Sequence, residues 1–491
     1  MKGNNKIQLL INSLSGGEIR NFKIYASRHI IGNSNFYMKL FGVFKNHSES
    51  LSDLEVCTKL NMNPKKLMDM RKYLYDLIIK SLRIYNANNF GDIIIYNQLI
   101  DGKLLIDKAL YDLAEEELIK AQKLAEISER FDFLIIINEM LSVVLTKKLE
   151  LRSKNFDYLN LMKRSFKAIE LYQNKLEYNY LNSNLDALKN KNVNYKNKSE
   201  LISFKDLRQS ILLSSPDQAK SIRAKNQYYM IKAQLNAFIG NKNLSLKNNI
   251  SRLNLIQKNT SIFSFDIHLE IIIISSCISD YIDLNQLPKA RKLILKLQTL
   301  KFKTAHLNKF LREKLDYCQL RYFIASNCDK EGYLLTIEIY KKIGAYTFNL
   351  FNQNIGVYFM CCYFSIINND ILLAKKYIAH LYNYSGIKLK PEENLIGFTI
   401  YMIIMFLLKD LEFMLYLQRK LKKLRLVVKD RDCIEIKITD FLIEKAKSEG
   451  DYLISKTKII NKIENIFENK KTSEKNRQRY FNYRRVFEIV F

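Results

Sequence analysis

Tryptophan is missing altogether, and backbone breakers are scarce: the 491 residues include only 4 Pro and 14 Gly. A β-sandwich needs frequent Gly- and Pro-rich turns, so this shortage argues against one and for long helices joined by short polar turns. Histidine is also sparse. His29, His47, His268, His306 and His380 never fall in a His-x-x-x-His or His-Glu-x-x-His pattern, and no Cys-x-x-Cys accompanies them, so no helix face offers a ready set of metal ligands. Also lacking are the Gly-x-Gly-x-x-Gly and Gly-x-x-x-x-Gly-Lys-Ser/Thr cradles for phosphate and the Gly-x-Ser-x-Gly nucleophile elbow. No position is assigned a catalytic, cofactor-binding or metal-binding role, and the expectation is a protein that is not an enzyme. The apolar runs at 271–278 and 396–408 fall short of the roughly 18–20 residues that span a bilayer. Lys2 and Lys6 precede an apolar stretch, 7–11, too short for a secretory signal.

Seven Cys follow no repeated spacing, and the adjacent Cys361 and Cys362 cannot easily pair inside a helix. This is the usage of a reducing compartment, and a cytoplasmic location is expected. Nearly half of the residues are apolar, so the chain can bury a large core, either as two or three compact domains or as one elongated array. The charge is one-sided, with 79 Lys and Arg against 50 Asp and Glu, a formal +29. Such a field attracts polyanions. The same chain is rich in Asn, Ile, Tyr and Phe, all encoded by A/T-rich codons, so genome composition accounts equally well for the lysines.

Residues 1–90 read as a separate helical module. Ser15 to Glu18 form a Ser-x-x-Glu capping box that starts a helix through about Arg28. Further helices are expected over 36–44, 50–60 and 64–85, the last opening on a proline at its first turn. The hairpin at 51–85 admits two readings. Leu54, Val56, Cys57, Leu60, Asn61, Met62 and Leu67 resemble a helix-turn-helix, with Lys65, Lys66, Arg71 and Lys72 on the recognition helix. The other reading is an ordinary hairpin capping the array, since Tyr73, Leu74, Leu77, Ile78 and Leu82 prolong the second helix as a buried strip.

From residue 93 the pattern repeats. Gly102 on one helix, and Ala114 and Ala121 on the next, leave room for two helices to cross closely, and Leu105 and Leu118 fill the seam. This stretch, 93–125, resembles one unit of the tetratricopeptide (TPR) family, with Asp101 departing where an apolar residue is usual. That resemblance implies helix–turn–helix units stacking into a right-handed superhelix. With Ala114 as phase marker, second helices recur near Asn160, Lys247, Ala290, Thr336, Ala374, Met414 and Ser455, a period of about 40 residues, with two units expected in the 87 residues from Asn160 to Lys247. Turns at 240–241, 283–286, 368–370, 409–410 and 450–451 precede those helices. In the unit 353–382, Cys362 takes the small position of Gly102, and Tyr358, Ala374 and Ile378 complete its seam. The Cys pair reads as apolar filler. Asp266, His268 and Glu270 read as a partly exposed helix face.

Residues 186–200 are Lys/Asn-rich and read as a loop or a frayed helix end, 469–479 have the same character, and 480–491 read as a closing helix or a partner-binding peptide. Two basic clusters stand out. Arg419, Lys420, Lys422, Lys423, Arg425, Lys429 and Arg431 gather at one helix end. Lys470, Lys471, Lys475, Arg477, Arg479, Arg484 and Arg485 interleave with Tyr480, Phe481 and Tyr483. Positive charge with aromatics suits single-stranded nucleic acid, and it also describes a solvated lysine-rich surface around a docked terminal helix. The expected architecture is an all-α, right-handed α-α superhelix: an N-terminal cap or accessory module over 1–90, a TPR-like array over 91–468, and a basic linker with a capping segment over 469–491. Its expected function is a protein-interaction scaffold binding a partner peptide or helix in a concave groove lined mainly by first helices. The alternative is nucleic-acid binding, through the 51–85 hairpin or through the basic clusters.

Overall fold

The computed structural model describes residues 6–28, 36–46, 52–88, 91–151, 158–190, 205–266, 268–302, 305–342, 355–383, 389–427, 434–447 and 480–490. All regular elements among them are helices. Two compact units emerge, one comprising Met1–Leu235, Ser251–Ile267 and Thr304–His306, the other Asn236–Ile250, His268–Lys303 and Leu307–Phe491.

The first unit begins with α1 (Lys6–Ser13), α2 (Gly16–Ser27), α3 (Phe36–Asn46), α4 (Asp53–Leu60) and α5 (Pro64–Tyr85). Local chemistry sets their starts. The Ser15 hydroxyl accepts from the Glu18 amide at 3.3 Å while the Ser15 amide donates to Glu18 at 2.7 Å. Ser52 and Glu55 repeat this box at α4, and the Asn63 side chain accepts from the Lys66 amide at 2.8 Å just before Pro64. Phe22, Phe41, Phe44, Val56, Leu67, Leu74 and Ile78 form the shared core.

Next come α6 (Gly91–Asp107), α7 (Tyr111–Ile127), α8 (Phe131–Leu151), the long α9 (Tyr158–Asn190) and α10 (Ile222–Phe238), followed by α11 (Lys242–Lys258), whose start as far as Ile250 belongs to the second unit. Ala114, Leu118, Ala121 and Ala125 are fully buried between α6 and α8. A Cβ at Gly102 would come within 2.9 Å of Leu118, and Leu105 packs half-buried on the same cluster. Between α9 and α10 the chain makes two 3-10 turns, Ile211–Leu213 and Pro216–Gln218. Tyr178 on α9 holds the first by donating to the Leu212 carbonyl at 2.8 Å.

The second unit holds α12 (His268–Asp283), α13 (Leu287–Thr299), α14 (Ala305–Ser326), α15 (Asp329–Lys342), α16 (Ile355–Ile367), α17 (Ile371–Asn383), α18 (Pro391–Leu407), α19 (Leu411–Val427), α20 (Ile434–Lys447) and α21 (Tyr483–Val490). α16 is buried on every side from Gly356 to Ile366. Three neighbours in sequence cover it, and so does α21 from the end of the chain. Phe481, Tyr483, Val486 and Phe487 are all buried, and Arg485 donates to Asp329 at 2.5 Å. The 480–490 segment is thus a docked helix.

One backbone device punctuates both units. Asn61, Ala109, Glu129, Gly240, Asn285, Asn327, Asn369 and Lys409 all have positive φ. At each, the amide of that residue bonds the carbonyl three back, and the next amide bonds the carbonyl five before it, as in Asn369 to Ile366 and Asp370 to Ser365 at 3.0 and 2.8 Å. This pair of bonds satisfies the last carbonyls of one helix with a single left-handed residue. After all but Asn61 the next helix starts two residues on. Five residues past the left-handed position lies the closest packing point: Ala114, Ser245, Ala290, Gly332, Ala374 and Met414, every one buried.

That geometry corrects several sequence expectations. Lys247 is exposed, and Ser245 takes the packing position on α11; in α15 the position belongs to Gly332, one turn before Thr336. Asn160 is exposed on α9, where Leu161 is buried instead. The stretch from Asn160 to Lys247 contains α9, the 3-10 turns, α10 and the start of α11, rather than two regular hairpins, with 191–204 outside the described residues. α9 runs to Asn190, so 186–190 are a helix end, one of the two readings the sequence offers, with Leu185 and Leu188 buried there; 191–200 lie outside the described residues. His268 opens α12, so Asp266 precedes the helix and pairs with Arg223 at 2.7 Å, while Glu270 pairs with Lys296 at 3.3 Å. Ser455 and the 450–451 turn lie outside the described residues.

Candidate functional site

On α18, Phe398 and Tyr401 are three residues apart, and on α19 so are Phe413 and Tyr416, so each helix presents two rings to one side. The turn at Lys409 and Asp410 folds α19 back onto α18 and brings the pairs together. Asp410 accepts from the Phe413 amide at 3.0 Å, which caps α19 and fixes the first ring. Tyr382 arrives from α17 and lies flat on Phe398, with centroids 4.9 Å apart and planes 5° apart; it also stacks on Tyr401 at 6.2 Å. Tyr401 meets Phe413 at 5.0 Å, and Phe413 meets Tyr416 at 5.4 Å. Gly397 permits this, because a Cβ there would come within 2.3 Å of the Tyr382 hydroxyl.

The five rings line an open cavity of about 910 Å³, closed at its sides by Ala379, Asn383 and Leu417. Its charge is polar along the groove. Asp410 and Glu412 stand where α19 begins, and Lys420 stands two turns along, its ammonium 5.6 Å from the Tyr416 ring centroid. Burial pushes the Tyr382 and Tyr401 hydroxyls upward, with Asp410 adding to the effect at Tyr401. Both stay neutral donors at physiological pH. Burial also lowers His380 on α17, where its ring stacks on Tyr358 and its Nδ1 lies 3.2 Å from the Tyr358 hydroxyl.

The residues picked out by sequence fall in different settings. Cys362 is fully buried, its thiol 3.6 Å from the Ala374 carbonyl, and Cys361 is fully buried beside it. Burial raises both thiols, Cys361 up to about 12, which makes them packing groups rather than nucleophiles. In the 51–85 hairpin, Asn61 adopts φ 50° and ψ 56°, the conformation a glycine would supply. Arg71 is engaged internally: it pairs with Asp53 at 2.5 Å and its guanidinium lies 5.4 Å from the Phe44 ring centroid. Lys66 sits 4.8 Å from the Phe36 ring centroid, and Lys65 and Lys72 are exposed. Lys422 and Lys423 are exposed on α19. Arg484 pairs with Glu488 within α21 at 2.7 Å. Phe481 and Tyr483, the aromatics expected to interleave with the terminal basic cluster, are buried, so their faces cannot stack on bases. Arg477 and Arg479 lie outside the described residues.

Sequence reasoning passed over the aromatic groove itself. Its signal was the paired i, i+3 aromatics on either side of the 409–410 turn, hidden because each pair alone reads as ordinary core. Among the described residues no group of three or more His, Cys, Asp or Glu converges, and no helix is long and apolar enough to cross a membrane. The chain matches no protein-family model, no curated protein and no solved structure.

Proposed function

We propose that the chain is a non-enzymatic, TPR-like helical-repeat scaffold of the cytoplasm, whose stacked hairpins form a right-handed array and hold a partner peptide or helix in the α17–α19 groove. The observation that carries this reading is the open run of five aromatic rings with acid at one end and a lysine at the other. Large, rigid rings supply contact area at low entropic cost, as at protein interfaces. Glu412 lies about 12 Å from Lys420 along the helix axis, eight residues at 1.5 Å each, and Asp410 stands just before the helix begins. The partner that fits has an apolar or aromatic centre, a basic residue toward α19's start and an acidic one toward Lys420. A polyanion suits this groove poorly, because its phosphates would meet Asp410 and Glu412.

The test is gentle affinity purification of the tagged full chain, with and without nuclease, beside the variants Tyr416→Ala and Lys420→Glu. Both residues are exposed enough to change without disturbing the core. Partners that survive nuclease and are lost from both variants support the reading. Partners released by nuclease, or retained equally by both variants, overturn it.

A further inference from the structure

Helix α9 has 33 residues, about 50 Å of helix. One side is spent inside its own unit: Leu161, Ala168, Tyr178, Leu181, Leu185 and Leu188 are buried. Its other side carries a second series, apolar but for Gln173, at Leu159, Met162, Phe166, Ile169, Gln173, Leu176 and Tyr180. The steps alternate three and four, the 3.5-residue period of a helix–helix seam rather than the broader stripe of a globular helix. Leu159, Phe166 and Tyr180 are 73%, 70% and 68% exposed. Scattered single apolar residues need no explanation, but a contiguous series about 30 Å long does.

The flanking charges indicate what covers it. Beside the seam, one residue after Met162, Ile169 and Leu176, stand Lys163, Glu170 and Glu177; on the other flank stand Tyr158, Ser165, Tyr172 and Asn179. Two parallel copies would set the charged flank against the neutral one and form no ion pair. In antiparallel copies the charged flank meets itself, and Lys163 of each chain faces Glu177 of the other about a two-fold axis at Glu170. That register sets Phe166 against Leu176 and Tyr180 against Met162, with Gln173 against Ile169. The two Glu170 carboxylates at the axis are not bare charges, since each is held by Lys167 at 3.0 Å and Lys220 at 2.7 Å of its own chain.

The geometry points to self-association: two copies of this chain pair through α9 as an antiparallel, two-fold helix–helix dimer, independent of whatever the aromatic groove binds. Sedimentation equilibrium of the full chain should then give a dimer. Phe166→Glu should give a monomer with unchanged helical circular dichroism, because that side chain points away from the unit's core. Lys163→Glu and Glu177→Lys should each weaken the dimer, and the double exchange should restore it. The charge pair gives a readout that a general surface effect would not move. A monomeric wild type, a dimer indifferent to Phe166→Glu, or a double exchange no better than either single one overturns the proposal.

Discussion

Two glycines at close crossings have different neighbours, and the difference sets what each will tolerate. At Gly102 an added methyl would meet the end of Leu118, a flexible side chain, at 2.9 Å. At Gly332 it would meet the Phe364 ring at 2.2 Å; both neighbours are fully buried, so the contrast rests on the deeper clash and on a ring that has less freedom to turn aside than a leucine. We expect Gly102→Ala to be close to neutral, the helix-propensity gain of about 0.5–1 kcal/mol offsetting the adjustment of Leu118. Gly332→Ala should cost about 1–3 kcal/mol as an overpacked core. Urea unfolding of the two variants checks the contrast. Glu313 on α14 supplies a pH dependence. Burial raises its carboxyl from its ordinary 4.5 to about 7, against the lowering pull of Lys309 and Lys314, and its Oε1 has no hydrogen-bond partner. Because the folded state holds this proton more tightly than the unfolded chain, the stability this group gives is present below about pH 4.5 and is lost as pH rises to about 7. Glu313→Gln should unfold at the same urea concentration as wild type at pH 4 and at a higher one at pH 8.

The same left-handed turn carries the repeat at the scale of elements, and it explains what sequence could and could not reveal. Asn285 and Asn369 lie inside turns read correctly from Asn and Asp content. Ala109 and Glu129 have no such signature, because backbone bonding rather than side-chain type holds them at positive φ, and the turn at Lys409 was legible only through Asp410 beside it. The phase markers slipped at Lys247 and Thr336 for a related reason: the packing point requires smallness only, which Ser245 and Gly332 satisfy without resembling Ala114. The starts of α2 and α5 were legible, since capping boxes and proline act over a few residues. Docking of α21 was legible only as one of two options, because its partners Tyr363 and Asp329 lie more than a hundred residues upstream. From this docking a third prediction follows. Phe487→Ala should destabilise the second unit by about 3–5 kcal/mol, as expected for a fully buried ring, whereas Arg484→Ala, which breaks only an exposed pair with Glu488, should cost less than about 1 kcal/mol. Thermal unfolding of both variants distinguishes a docked helix from a loosely attached peptide.

At the scale of the whole molecule, the basic residues picked out by sequence fall in different settings. Among the described residues Phe481 and Tyr483 went into the core and Arg71 into an internal pair, while Lys65, Lys72, Lys422 and Lys423 are exposed. The docked α21 also has a consequence for biosynthesis. Between Ile367, where α16 ends, and Phe487, which covers it, the ribosome adds 120 residues, about 6–24 s of translation at roughly 5–20 residues per second. For that interval one side of the most apolar helix in the second unit waits uncovered. Exposed apolar surface of that kind favours aggregation over folding until α21 is made.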